Sequence, residues 1–238
     1  MIMRLPIRSV SADARPETTT REAWQRELDT LLVREKKHTR EGDAIAAARR
    51  RLPMVEVPAD ATIEGPDGVV PFVTAFEGRR MLVGYFHMWH DGQGFEGQCI
   101  GCTFTSSQIQ VPEYLNAADV TLAVFSEGTY AESRPYADWL GYRLPWYSAR
   151  GSSVPAGRDF GFFAFFLRDD DDRVYETYWT TDRGTEVADM SYILLDRTVY
   201  GRQEAWEDSP DGWPRFSGGD YTWRIAGRPT VQWRLLEG

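Results

Sequence analysis

The chain contains two cysteines, three residues apart, in the run Cys99-Ile100-Gly101-Cys102. Two thiols cannot build the multi-bridge framework of a small secreted domain. At this spacing in an intracellular chain they read as a metal half-site or a redox pair, and the surrounding elements must decide. The attacking species in disulfide exchange is a thiolate, which the unpaired N–H groups and dipole of a helix N-terminus stabilise. Cys99 occupies such a place if a helix starts behind it, and the sequence supports one: a glycine-rich loop, His90 to Gln98, leads into it. Gly101 to Asn116 then has helical character, with Pro112 expected to bend or break it. Cys102, one turn further in, would attack a mixed disulfide on Cys99 and release the partner. This reading makes Cys99 the nucleophile and Cys102 the more buried resolving thiol. Gly101 lets the backbone tighten as a bridge forms.

Other chemistry competes for the same residues. His87-Met88-Trp89-His90 stands just upstream, and His87, His90, Cys99 and Cys102 would make a two-His, two-Cys zinc set. An offset of three along an extended segment sends the two histidines to nearly opposite faces, which argues against it. Inert core thiols remain a third reading. The neighbours with chemical potential are Trp89, His90 and Glu96 before the dithiol and Pro145 and Trp146 after the second helix, all candidates for a substrate pocket. His90 is either a proton relay or a surface-loop histidine, and the aromatics are either substrate contacts or packing. Asp169 to Asp172 lacks the alternating ligands, glycine and distal glutamate of a calcium loop and reads as a solvated turn. Ser126 lacks the Gly-x-Ser-x-Gly elbow of hydrolases. The dithiol chemistry requires no bound cofactor.

The elements that must position the pair follow from apolar patterning. Met81 to Phe86 is a short, nearly continuous apolar run, as a strand covered on both faces requires. Val120 to Ser126 is a second, so that a βαβ unit encloses the dithiol, with a right-handed crossover expected. Tyr130 to Leu140 is a helix ended by Gly141. Phe160 to Leu167 and Val174 to Thr180 form a hairpin about the aspartate turn, and Thr185 to Leu195 closes the series as a helix. The order β-α-β-α-β-β-α is the connectivity of a thioredoxin-like α/β fold, with the dithiol after its first strand.

Extensions flank this unit. Residues 1–53 read as an N-terminal helical arm, with Thr19 and Glu22 at capping-box spacing and Trp24, Leu28, Leu31 and Leu32 on one helical face. The helix is expected from Arg21 to Arg40, interrupted at Gly42, with a second piece from Asp43 through Arg50 before Pro53; its apolar stripe should pack on something else. Residues 54–207 form the main domain. It begins with strands at Met54 to Val57 and Val69 to Phe76, joined through Gly65-Pro66-Asp67-Gly68. Residues 208–238 read as a loop-rich tail packed on the domain through tryptophans, Trp206, Trp213, Trp223 and Trp233 being spread along the end of the chain.

The totals exclude several classes. A net charge of −9 argues against binding nucleic acid through its phosphates, and the short run Arg49 to Arg51 reads as the solvated end of a helix. Apolar residues make up 42 % of the chain, enough for a core, but no run approaches the ~20 residues of a membrane span. Met1 to Thr20 has no apolar core of a secretory signal, so the cytoplasm is the expected compartment. The expected partners are thiol or disulfide substrates, small or protein, and a homo-oligomer is compatible with the unplaced first helix.

Longer stretches carry a family resemblance that covers nearly everything from Trp24 to Trp213. Glu35 to Leu52 (EKKHTREGDAIAAARRRL), Cys99-Ile100-Gly101-Cys102-Thr103, Ala118 to Thr121, Gly141 to Ser148 (GYRLPWYS), Glu176 to Gly184 (ETYWTTDRG) and the segment YGRQEAWEDSPDGWP within Asp189 to Pro214 together make the chain similar to the bacterial thioredoxin-like proteins catalogued as domain of unknown function 899. The resemblance implies a thioredoxin-like fold and a redox-capable pair at Cys99 and Cys102, with no settled substrate. Ordinary thioredoxins place a cis-proline just before the third core strand, facing the dithiol. Here Arg158 and Asp159 stand in that place and Pro155 is the nearest proline, which speaks against reduction of broad protein substrates. The leading expectation is a thiol-disulfide oxidoreductase or a thiol-dependent peroxide reductase; its rival is a non-catalytic binding or structural protein on the same fold.

Overall fold

The computed structural model describes residues 14–109, 111–215, 223–225 and 228–232. Trp233 and most of the segment read for a leader lie outside the described residues. Four strands make the centre: β4 (Met81–His87), β5 (Val120–Ser126), β7 (Phe162–Arg168) and β8 (Val174–Thr180). β4 pairs in parallel with β5 and antiparallel with β7, and β7 pairs antiparallel with β8. The helices α2 (Ile100–Gln108) and α4 (Tyr130–Leu140) follow β4 and β5, and α5 (Met190–Leu195) follows β8. This spatial order, β5-β4-β7-β8 with that connectivity, is the thioredoxin-like fold that the apolar runs predict.

Shorter strands widen the sheet to eight. β1 (Val55–Glu56) lies against β8, and β2 (Thr62–Gly65) pairs with β3 (Gly68–Pro71) and with β6 (Trp146–Ser148), which in turn lies parallel to β5. β6 is absent from the sequence reading, because three residues are too few for an alternating pattern to declare a strand. Val69 to Phe76 is not one strand: β3 ends at Pro71 and a 3-10 turn, Phe72–Phe76, follows. The turn drops Phe72, Ala75 and Phe76 into the core. Pro112 separates α2 from the single turn α3 (Glu113–Asn116), as its missing N–H demands. The last helix is shorter than expected, since Asp182–Ala188 is a 3-10 segment and only Met190–Leu195 is α-helical.

Strand alternation sorts the core into two faces. Leu82 and Phe86 of β4, Phe125 of β5 and Phe162 and Phe166 of β7 point to one side, where Phe86 stacks on Phe162 at 4.3 Å between ring centroids and on Phe125 at 5.1 Å. Gly84 is required there, because a β-carbon would come within 2.8 Å of the Phe125 ring. Tyr85, Leu122, Val124 and Phe163 point to the opposite side, under α2 and α4, with Cys102 and Tyr136.

The first helix departs from expectation. α1 (Arg21–Arg49) runs unbroken through Gly42, whose cost of about 1 kcal/mol relative to alanine is outweighed by the good helix formers around it. Its cap is Thr20, which accepts the Ala23 N–H at 3.2 Å, rather than Thr19. No residue of α1 is buried among the described residues, and Trp24, Leu31 and Leu32 are exposed. Among the described residues no helix is long and apolar enough to cross a membrane.

Candidate functional site

The end of β4 and the start of α2 set the dithiol. Cys99 is the N-cap residue of α2, and its carbonyl accepts both the N–H and the hydroxyl of Thr103, at 3.0 and 2.7 Å, which locks the first turn. Cys99 is half-buried and lines a cavity. Cys102 lies inside the first turn and is buried, and its Sγ accepts the Met88 N–H at 3.3 Å. Both cysteines are free thiols.

Their environments push the two thiols apart. A hydrogen bond from the Cys102 thiol, with help from the N–H groups of Cys102 and Gly101 and the charge of His90, brings Cys99 down to about 6 against the opposing effect of burial. Holding that bond, and buried itself, Cys102 is pushed well above the ordinary thiol range. At neutral pH the pair is therefore a Cys99 thiolate beside a protonated Cys102. Two coupled groups with opposed protonation states are what a nucleophile and its resolving partner need.

A cavity of about 500 Å³ opens from the dithiol. Tyr85, Cys99, Cys102, Phe160, Gly161, Asp189 and Trp206 are among the residues that line it. Behind the lining residues Glu186 and Tyr192, the buried Arg202 pairs with Glu186 and, through two hydrogen bonds of 2.7 and 2.8 Å, with Asp196, while its guanidinium lies 4.0 Å from the Tyr192 ring centre. Trp223 stacks on Phe104 of α2 with rings 8° from parallel. A second, more apolar cavity of about 550 Å³ lies between α2 and α5 and contains neither sulfur.

The neighbours expected at the pocket are placed elsewhere. Trp89 is buried against Tyr136 and over Gly128, where a β-carbon would come within 2.6 Å of the indole. Trp146 is buried on β6 and donates its indole N–H to Ser133 at 3.0 Å, while the Pro145 carbonyl accepts the Val124 N–H. Glu96 sits in a 3-10 turn, Phe95–Gly97, away from the cavity lining. His90 is fixed by its own loop, with Nδ1 2.9 Å from the Gly97 carbonyl, and acts on Cys99 through its charge rather than from the cavity wall. The pocket thus takes its walls from segments that local patterning marks only as packing or turn.

The zinc set is not assembled. His87 is fully buried with Nδ1 2.7 Å from the Met88 carbonyl and its ring against Trp146, and burial lowers it to about 4, which makes it a neutral core histidine. Among the described residues no three His, Cys, Asp or Glu side chains converge on a metal position. Arg158 does not face the dithiol either. It turns to β8 and makes a bidentate pair with Glu176 at 2.7 and 2.9 Å, and Phe160 and Gly161 take the cavity-facing place before β7.

Tyr85, Thr105, Asp189 and Trp206 are among the cavity residues that the dithiol motif does not point to. Tyr85 had a signal: alternation along β4 puts it on the face opposite Phe86 and beneath the following helix. Asp189 sits before the apolar turn Met190–Leu195, but nothing local announces that its carboxyl is buried.

No curated protein sequence matches the chain. Among solved structures, it resembles a cysteine mutant of PrxQ from Xylella fastidiosa, at 9 % identity over 60 % of this chain and 97 % of that one, with a TM-score of 0.38. Peroxidoxin BcpB from Mycobacterium tuberculosis is similar at 13 % identity over 59 % and 92 %, with a TM-score of 0.36. BsSco, of the Sco family of cytochrome c oxidase assembly proteins, is similar at 15 % identity over 54 % and 88 %, with a TM-score of 0.31. The fold stands on the strand order and connectivity themselves. At the level of sequence, the model of the family described as "Bacterial protein of unknown function (DUF899)" matches residues 13–224, and the chain belongs to that family.

Proposed function

We propose that this protein is a thiol-disulfide oxidoreductase or thiol-dependent peroxide reductase, with Cys99 as nucleophile and Cys102 as resolving thiol. The observation that carries the reading is the asymmetry of the pair: a half-buried Cys99 at a helix start, lowered to about 6, and a buried, protonated Cys102 in contact with it. The Cys99 thiolate attacks one sulfur of a disulfide and expels a thiolate, or attacks the terminal oxygen of a hydroperoxide and expels an alkoxide (hydroxide, from hydrogen peroxide). Cys102 then attacks the Cys99 sulfur, releases the second fragment and leaves an intramolecular disulfide, so that two electrons have passed to the substrate. An external thiol reductant restores the pair. The walled cavity favours a small disulfide or hydroperoxide over a broad protein surface, and such a cycle belongs in a reducing cytoplasm.

Limiting iodoacetamide, followed by mass-spectrometric mapping, tests the assignment. Cys99 should be labelled first, with a rate that rises through pH about 6. Cys102→Ser should accumulate a mixed disulfide on Cys99, and Cys99→Ser should abolish both adduct and turnover. Preferential labelling of Cys102 would reverse the roles. Equal, sluggish labelling with no reversible dithiol potential would favour the binding-protein alternative.

A further inference from the structure

The first helix carries an apolar stripe that its own chain leaves open. Trp24, Leu28, Leu31 and Leu32 share one helical face; Leu28 is half-buried and the other three are exposed. An apolar strip on a helix with no residue buried among the described residues marks a surface that meets a partner. At the opposite end of α1 lies an apolar groove of about 670 Å³. Leu52, Met54, Phe165, Tyr178 and Val187 contribute to its lining, together with Arg49 and Arg50 from the end of the helix. Leu52, Met54 and Val187 are exposed there. The Arg49 guanidinium lies 4.9 Å from the Tyr178 ring centre and fixes the end of α1 beside the groove.

Reach and charge decide what fills it. Because α1 is one unbroken helix, Leu32 and Trp24 stand about 25 and 37 Å along its axis from Arg49. The stripe therefore cannot fold back into the groove of its own chain. Two copies related by a two-fold axis, with their α1 helices antiparallel, bring each stripe to the other's groove, so that both apolar surfaces are covered at once. The charges agree with that direction. Glu27 and Asp29 flank the stripe on either side, in a segment, residues 17–32, that holds four carboxylates against two arginines. The groove end carries Arg49, Arg50 and Arg51, and residues 44–54 contain no acidic side chain. Antiparallel helices set the acidic end of one against the basic end of the other, whereas parallel helices would set like against like.

We infer that this face is the interface of a homodimer, in which the Trp24, Leu28, Leu31 and Leu32 stripe of each copy lies in the groove of its partner, with Glu27 and Asp29 opposite Arg49 and Arg50. The inference is independent of the redox reading, but it bears on the same site. Gly184 and Val187 line the groove while Arg183, Thr185 and Glu186 line the dithiol cavity, so the 3-10 segment Asp182–Ala188 is the wall between them. A partner helix in the groove braces that wall from behind.

Sedimentation equilibrium of the full chain over a range of concentrations tests the assembly, and charge exchange tests its geometry. The unaltered protein should sediment at twice the chain mass. The double variant Arg49→Glu with Arg50→Glu, and separately Glu27→Arg with Asp29→Arg, should each place like charges together at both contacts and weaken the dimer about a hundredfold or more. An equimolar mixture of the two should form a heterodimer within about tenfold of the unaltered affinity, since acid again meets base at both of its contacts. Leu31→Glu, which leaves all four charges in place, should give a monomer, and far-UV circular dichroism checks that each variant is folded. A monomeric unaltered protein overturns the proposal. So does a dimer that the variants leave intact, and so does a loss in both charge variants that mixing fails to restore.

Discussion

The two faces of β4 are built from adjacent residues and have opposite characters. Leu82 and Phe86 enter a face of stacked phenylalanines with Phe72, Phe125, Phe162 and Phe166. Tyr85 and His87 enter the other, where Cys102, Thr103, Thr105, Ser106 and Asp189 are also buried. A pleat of period two lets one strand serve both. The stacked phenylalanines of the apolar face contribute dispersion and burial with no proton to gain or lose. The helix-covered face carries desolvated polar groups, several with an unpartnered atom: His87 Nε2, Ser106 Oγ and Asp189 Oδ1. Burying such groups costs free energy, and the stacked phenylalanines on the reverse of the same strand offset it. The thermodynamic burden and the chemistry are thereby kept one residue apart.

Breaking the apolar face should have the largest effect on stability. Phe86→Ala removes a fully buried ring stacked on two others and should lower the unfolding free energy by about 3–5 kcal/mol, measured by urea titration. Its Cys99 should keep its reactivity below the transition; a matching loss of thiolate character would show that the faces are not independent.

The next effect is a pH dependence confined to the polar face. Asp189 is raised to about 6 in the folded chain, so the stability linked to it is full below about pH 4 and is lost as pH rises through 6. His87, lowered to about 4, has the opposite sign: its contribution is full above its ordinary value near 6.5 and is lost as pH falls through 4. The two oppose each other between pH 4 and 6.5, so the unaltered protein should show a shallow profile there. Asp189→Asn should expose the His87 slope and raise stability above pH 7 by about 2 kcal/mol relative to the unaltered protein. A melting series across this range that is parallel for the two proteins would contradict the assignment.

The smallest effect sharpens the contrast. Tyr85→Phe, next to Phe86, removes only a hydroxyl on the cavity wall and should change stability by about 1 kcal/mol or less, read from a urea denaturation midpoint. Unfolding free energies of Phe86→Ala and Tyr85→Phe measured side by side should differ by about 2 kcal/mol or more; equal losses would show that the two faces are not unlike.

Much of this was legible before the structure. The strand runs at β4, β5, β7 and β8 and the helix at α4 are local in origin, since apolar period and a terminating glycine are written in consecutive residues. The placement of Cys99 at a helix start was legible for the same reason. Where the reading failed, longer-range balances decided. Gly42 is a helix breaker by composition, yet α1 continues because its neighbours outweigh one glycine. β6 exists because β2 and β5 receive it on either side. Trp89 and Trp146 look like pocket aromatics beside a dithiol and are instead core, each meeting a small partner, Gly128 and Ser133, distant in the chain.

What the sequence determined by itself is the dithiol, its strand-to-helix setting and the order of elements around it, because each depends on propensity and pattern within a few residues. What only the tertiary structure decided is the environment of those sulfurs. The cavity wall comes from Phe160, Trp206 and Trp223, the brace from Arg202, and the buried carboxyl from Asp189, all distant in sequence and joined to α2 by contacts such as Gln108 with Ser191. Desolvation and proton position depend on which atoms surround a group in space, and no local pattern encodes that.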